Sequence, residues 1–388
     1  MGTKKYLSAA VLEATNQCHK GRVVDLFAGM GSVAEVHHRV RQVWANDVQH
    51  FSSLNNKCRL TYGENLLPTK LDNFANEIFQ SNIDVLRSQT ANEHDHFSNV
   101  FATADYSIFA SSLQSAREAD RIFENGYCCF SNRYAFTYFS LDQCFEIDSI
   151  RYLLEFLRGI GRINQQDFDW GVLCLGAAML RCANTTGHFA QFMKPNAQNW
   201  QRVRRQFKKS ILSTWQGALV ELEPFGTPEW RENNHVTRSD ALNALSNKSL
   251  AGEIGVVYCD PPYTNDQYSR FYHIWETLVL YDYPAVTGDG LYRTGRYTTE
   301  FSSTKRVSSA FQQLATSVAS IGADIVLSYP SNGLLHEVDA CPRDILCKHF
   351  KDVFIHSETS YHHSSMGASK GSQKHQVTER IYVGRHAR

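Results

Sequence analysis

The residues best suited to chemistry form a short turn, Asp260-Pro261-Pro262-Tyr263, at the end of the apolar run Val256-Val257-Tyr258-Cys259. Proline donates no hydrogen bond to a sheet ladder and restricts the residue before it to extended geometry, so two in a row stop a strand and fix the backbone. The result is a rigid mount for two acceptors, the Asp260 carboxylate and the Pro261 carbonyl, beside one aromatic platform, Tyr263. A strand-to-helix turn whose aspartate caps the next element would read the same way. A second constellation lies near the N-terminus, where Asp25, Phe27 and Ala28 lead into Gly29 and Gly31. Such a glycine pair lets backbone approach a ligand closely. Asp47 closes the next apolar run about 20 residues on, where an acid in this architecture accepts a ribose hydroxyl pair. Ala34 stands where a dinucleotide fingerprint has its third glycine, which favours a nucleoside without a pyrophosphate.

Both constellations need strands to carry them. Seven short apolar, β-branched runs read as strands: 22–27, 42–46, 235–239, 255–259, 323–329, 353–360 and 378–383. Helical periodicity over 32–43, 266–281 and 308–321 alternates with them, which predicts a doubly wound parallel sheet, its last two strands close enough to pair as an antiparallel edge. Between 59 and 234 strand signals fade and helical patterns such as 147–158 and 169–182 take over, so this stretch reads as a second domain inserted into the first. Hydrophobic residues at 43% and charged residues at 20% describe a folded globular chain rather than a disordered one. Ten cysteines show no paired C-x-x-C spacing, and reduced thiols in the cytoplasm are the expectation. The longest apolar run, 170–180, is too short to cross a bilayer. Lysine plus arginine equals aspartate plus glutamate at 39 each, so any nucleic-acid surface must be a local patch.

The order of these parts, FAGMG early, an acid after the second strand, a long insertion and then DPPY, resembles the Dam-like adenine-specific DNA methyltransferases. The resemblance covers residues 1–62 and 235–388. It implies an α/β fold, a Rossmann-like seven-stranded class I methyltransferase sheet, with a mainly helical target-recognition domain inserted at 63–234. It further implies S-adenosylmethionine as cofactor, held by Asp25, Phe27, Ala28, Gly29, Gly31, Asp47 and Asp260. In "MGTKKYL" Tyr6 would stand for the family's aromatic contact, and in "RSDALNAL" Asp240 would accept from the amino group of the cofactor adenine while Ala241 supplies a backbone contact. Asp260 and the Pro261 carbonyl would then hold the amino group of a target adenine, Pro262 would fix their spacing, and Tyr263 would stack on a base flipped out of the duplex. Double-stranded DNA is the implied partner, with a cognate restriction endonuclease beside it, in the bacterial cytoplasm at the nucleoid.

The stretch 194–209 carries six basic residues, Lys194, Arg202, Arg204, Arg205, Lys208 and Lys209, and no acid, with Trp200 and Phe207 interleaved. A surface that tracks phosphates has this composition, and so does a solvated helix face. Thr264 to Gln267 fits a capping box, and Gln267 and Tyr268 are near enough in sequence to the catalytic turn to reach a flipped base. The polar turn 183–189 and the Gly/Ser-rich loop 360–371 are further candidates for the DNA side. His362 and His363 lack a third ligand at suitable spacing, so no metal site is expected. Two alternatives stay open at this level: the same chemistry on RNA, and a non-catalytic nucleic-acid-binding subunit.

Overall fold

The computed structural model describes residues 7–90, 105–119, 122–246, 253–363 and 375–386, with the backbone alone for 361–363, 375 and 376. The chain divides into two compact units, one of Met1–Gly63, Pro224–Arg270 and Arg296–Arg388, the other of Glu64–Glu223 and Phe271–Gly295.

The first unit is built on a seven-stranded sheet of β1 (Arg22–Asp25), β2 (Val43–Asp47), β3 (His235–Arg238), β4 (Ile254–Cys259), β5 (Asp324–Pro330), β6 (Asp352–His363) and β7 (His375–Arg385), in the order β3-β2-β1-β4-β5-β7-β6. The pairs among β1 to β5 are parallel, and β7 runs antiparallel to both β5 and β6. This is the sheet of the class I methyltransferases. Every residue of β1, β4 and β5 is buried, which is why these strands read as unbroken apolar runs rather than alternating ones. The strand order reverses between β1 and β4, and in open α/β sheets ligands bind beyond the carboxyl ends at that switch point.

Two helix boundaries depart from the sequence pattern. The periodicity over 32–43 yields only Ser32–Val36, because the His37 ring takes the Val33 carbonyl at 2.7 Å while backbone N–H groups of His37 and His38 tighten onto Ala34 and Glu35. The 266–281 pattern begins at Ser269. Thr264 accepts from the Asp266 N–H at 3.3 Å, and the Gln267 amide turns elsewhere, so no capping box forms.

In the second unit the helices Leu141–Gly159 and Gln165–Cys182 start earlier than the apolar periodicity suggests, each at a reciprocal capping box, Ser140 with Gln143 and Asn164 with Asp167. Gly171 lets them pack closely: a Cβ there would lie 2.6 Å from Leu154 Cδ2. Trp215 and Trp275 are buried and donate to the carbonyls of Gly171 and Gly176. Among the described residues no helix is long and apolar enough to cross a membrane. None of the ten cysteines is joined in a disulfide.

The strand ends of the first unit are tied by one buried side chain. Asn46 donates to the carbonyls of Leu26 (3.3 Å) and Ser239 (3.0 Å) and accepts from the Thr237 hydroxyl (2.8 Å), which itself accepts from Trp44 Nε1 (2.8 Å). The residue links β1, β2 and β3 where the functional loops begin. Asn46→Ala leaves two carbonyls and a hydroxyl to find new partners, and it is expected to lower unfolding stability by about 2–3 kcal/mol. Urea denaturation of the variant checks this; a loss below about 0.5 kcal/mol, the ordinary scale for an unimportant surface change, would contradict it.

Candidate active site

The loop leaving β1 is fastened at each step. Leu26 N–H donates to the Tyr258 carbonyl (3.1 Å), Ala28 N–H to that of Asn46 (3.0 Å), and Gly31 N–H to that of Ala28 (2.8 Å). Gly29 and Gly31 have φ of 49° and 77°, the left-handed region that glycine enters without a Cβ penalty. Space excludes a larger residue as well: a Cβ on Gly31 would sit 2.6 Å from Asn56 Oδ1. Asn56, in helix His50–Leu60, donates to the carbonyls of Gly29 (3.0 Å) and Ser52 (2.9 Å). Sequence reading overlooked this residue, since a helical Asn doublet carries no spacing signal.

Asp47 is partly buried at the end of β2. Its Oδ2 accepts from the Gly29 N–H and its Oδ1 from the Gln49 N–H, each at 2.8 Å. The carboxylate that the sequence assigns to a ligand thus also shapes the glycine turn, and each oxygen retains capacity for a further donor. Burial pushes its pKa up to about 6 against these N–H bonds. Asp25, at the end of β1, is fully buried; its carboxylate accepts from the Phe27 N–H at 3.3 Å. Burial first, then the charge of Asp260, with a smaller push from Asp47, holds the Asp25 carboxyl well above the usual range. The Asp25 carboxyl therefore feels the charges of both neighbouring strand-end carboxylates, Asp260 and Asp47.

Asp260 follows β4 directly and is partly buried, Pro261 is buried, and Pro262 and Tyr263 are partly buried. The peptide bonds of the described residues are all trans. The Tyr263 carbonyl accepts from the Leu334 N–H at 2.8 Å, and its ring meets that of Tyr268 edge-on at 6.1 Å. The Gln267 amide is engaged inside the unit: Oε1 accepts from the Thr299 N–H (2.8 Å) and Nε2 lies 3.4 Å from the carbonyls of Thr299 and Ser302. Its part in this geometry is to hold the 299–302 loop. Asp240 caps helix Ala241–Ala244 by accepting from the Leu242 N–H at 2.9 Å, and its second oxygen accepts from the Tyr297 hydroxyl. Ala241 is buried. Phe27 packs edge-on against Phe301, 5.3 Å between centroids.

In the second unit the basic stretch contains helix Trp200–Phe207, whose Trp200, Val203 and Phe207 are buried. Arg202, Arg205, Lys208 and Lys209 are exposed, while Arg204 is partly buried with its guanidinium 5.6 Å from the Trp200 ring centre. Lys209 donates to the Arg181 carbonyl (2.9 Å), Arg202 approaches that of Thr185 (3.4 Å), and Lys194 pairs with Asp289 (3.2 Å). Asn184, in the polar turn 183–189, is buried and donates to the carbonyls of Thr137 and Met193. Tyr6 and most of the 360–371 loop lie outside the described residues, as do the side chains of His362 and His363. Among the described residues no group of three or more His, Cys, Asp or Glu could hold a metal ion.

A family model described as D12 class N6 adenine-specific DNA methyltransferase matches residues 1–140 and 233–323. The chain is 28% identical over 319 residues to Type II methyltransferase M.FokI of Planomicrobium okeanokoites, a match covering 81% of this chain and 41% of that one. It is 23% identical over 318 residues to Modification methylase LlaI of Lactococcus lactis subsp. lactis (80% and 42%) and 23% identical over 343 residues to Modification methylase StsI of Streptococcus sanguinis (87% and 45%). The chain spans less than half the length of each of these relatives. The basic helix falls outside the segments the family model matches.

The raised proton affinity of Asp47 has a measurable sign. Between the ordinary carboxylate value and about 6 the folded chain binds this proton and the unfolded chain does not, so its contribution to stability is present at low pH and is lost as pH rises through that window. Asp47→Asn should flatten this part of the profile of urea midpoint against pH, between about pH 4 and 6. Wild-type and variant profiles of identical slope there would contradict it.

Proposed function

The chain belongs to the D12 class N6 adenine-specific DNA methyltransferases, and from that premise we propose that it transfers a methyl group from S-adenosylmethionine to the exocyclic amino nitrogen of an adenine in double-stranded DNA, at a specific site. The observation that carries this reading is the meeting of the glycine turn, Asp25, Asp47 and the Asp260-Pro261-Pro262-Tyr263 turn at the carboxyl ends of β1, β2 and β4.

These residues fit the cofactor. When bound, S-adenosylmethionine supplies a methyl group on a positively charged sulfur, open to direct displacement. Crowded carboxylates favour such a cation, since a positive neighbour offsets the repulsion that raises Asp25. Asp47 has the lone pairs to accept ribose hydroxyls, Gly29 and Gly31 keep the backbone low, and Phe27, Ala28, Asp240 and Ala241 complete the set toward the adenine.

The amino nitrogen of adenine is a poor nucleophile because its lone pair is delocalised into the ring. Asp260 and the Pro261 carbonyl each accept one amino hydrogen, an arrangement that favours a localised pair as the N–C bond forms and the C–S bond breaks with its electrons passing to sulfur. The proline pair and the anchor from Leu334 fix these acceptors before the substrate arrives, so the attack geometry is largely preorganised. The positively charged methylated nitrogen then releases a proton to water, so Asp260 need not act as a strong base. Tyr263, with Tyr268 beside it, stacks on the extruded base.

The second unit supplies phosphate contacts through the basic stretch, chiefly by the exposed Arg205 and Lys208, with Arg202, Arg204, Lys209 and Lys194 around them. Because relatives of this chain are named modification methylases, we propose that it protects DNA against a cognate restriction endonuclease, acting in the bacterial cytoplasm.

Asp260→Ala should lower methyl transfer by about 100-fold or more, the usual loss for a transition-state hydrogen bond, while calorimetric affinity for the cofactor, held by several other residues, changes comparatively little. A variant keeping a tenth of wild-type turnover would falsify the assigned role. Charge reversal of Arg205 and Lys208 should weaken binding to all DNA sequences alike and make the dependence of log affinity on log salt shallower by about 0.9 for each lost phosphate contact. A slope unchanged by the double substitution would return these residues to an ordinary solvated helix face.

A further inference from the structure

Residues 296–303 run from the cofactor motifs to the catalytic turn within the first unit. At one end the Tyr297 hydroxyl donates to Asp240. At the other Gln267 grips Thr299 and approaches Ser302, and the Ser302 hydroxyl donates to the Asp266 carbonyl at 3.1 Å. Between them Phe301, fully buried, wedges between Phe27 of the glycine turn and Phe311, at 5.3 and 5.4 Å. One short segment thus touches the glycine turn, the Asp240 cap and the residues just after Tyr263.

We infer that Tyr297 is a positioning residue for the cofactor: it holds the plane of the Asp240 carboxylate so that one oxygen faces the amino group of the cofactor adenine. The inference rests on the methyltransferase reading given above. The physical case lies in the number of ties. The Leu242 N–H fastens Oδ1 alone, and a carboxylate fastened at one oxygen can still rotate about its last side-chain bond. The tie from Tyr297 to Oδ2 removes that freedom while leaving lone pairs on both oxygens. Burial, with the neighbouring carboxylate adding to it, pushes the Tyr297 hydroxyl above its ordinary range, so it stays protonated and donating at neutral pH. No spacing rule marks Tyr297, which lies 57 residues beyond Asp240.

The test uses two ligands that differ at one group, S-adenosylhomocysteine and its 6-oxo counterpart, S-inosylhomocysteine, which lacks the amino group. Calorimetric titration of the wild type and of Tyr297→Phe, which keeps the ring and its packing, should show S-adenosylhomocysteine weakened about five- to tenfold, the scale of one hydrogen bond, with S-inosylhomocysteine within about twofold of wild type. In an Asp240→Asn background the same substitution should have no further effect, because two residues acting through one contact are not additive. Equal losses for both ligands would mean a general packing role and overturn the proposal. So would unchanged binding of both, or tighter binding of S-adenosylhomocysteine, which would make Tyr297 a competitor for Asp240. A wild-type chain that binds neither nucleoside would overturn the underlying methyltransferase reading, an outcome distinct from any pattern among the variants.

Discussion

Parallel strands that end side by side deliver their last residues to one edge, and here that edge receives Asp25, Asp47 and Asp260. The crowding is unfavourable: burial and like charge both resist ionisation of Asp25, and burial resists it at Asp47. Much of the local architecture answers this constraint. The donors that offset it are backbone N–H groups of Phe27, Gly29 and Gln49, all from the loops that the same strands launch. Aiming the Gly29 N–H at Asp47 puts the turn into left-handed backbone, hence glycine at 29 and 31. The close approach this allows is occupied by Asn56 rather than left as a void. A carboxylate at one strand end thus dictates residue types in the next loop and helix.

The Asp260-Pro261-Pro262-Tyr263 turn meets the opposite requirement, since its two prolines cannot donate to neighbours. Its rigidity is completed by acceptors: the Tyr263 carbonyl takes the Leu334 N–H, and the chain beyond is set by Tyr329, whose hydroxyl accepts from the Leu335 N–H at 2.9 Å. Gly333 belongs to the same arrangement, for a Cβ there would lie 2.5 Å from the Tyr329 ring. The mount of Asp260 is therefore buttressed from β5, its neighbour in the sheet.

How much of this was legible depends on whether a feature is local. The seven strands were, and in β1, β4 and β5 double-sided burial writes an unbroken apolar run. Helix starts at 141 and 165 were legible in principle through their capping boxes, yet apolar periodicity alone misses them, since a first turn is polar. The end of Ser32–Val36 was not, because it depends on where one histidine ring points. Asp25, Asp47, Asp240 and Asp260 could be picked out as acids at strand ends or caps, but the second duties of Asp47 and Asp240, toward Gly29 and Tyr297, are contacts across 18 and 57 residues with no pattern behind them. Gln267 has a duty of the same hidden kind: its amide is engaged by 299–302, a contact across 32 residues that no sequence pattern marks. Nor does periodicity reveal that Phe271–Gly295 packs with the helical unit.

These shared duties bear on how a site of this kind responds to its ligand. Asp47 both shapes the glycine turn and retains lone pairs, and Asp240 both caps a helix and receives Tyr297. A ligand that bonds to either residue adds to an existing set of donors instead of forming the set, so little ordering entropy is spent at those two contacts on binding. At Asp47 the cost has already been met in folding, as a carboxylate held where it ionises reluctantly. A folded state that keeps such groups gives up stability, a trade expected where chemistry rather than packing selects the residue. In this chain the reluctant carboxylates stand at the carboxyl ends of β1 and β2, and the sheet order sets them beside the start of the β4 turn at its reversal.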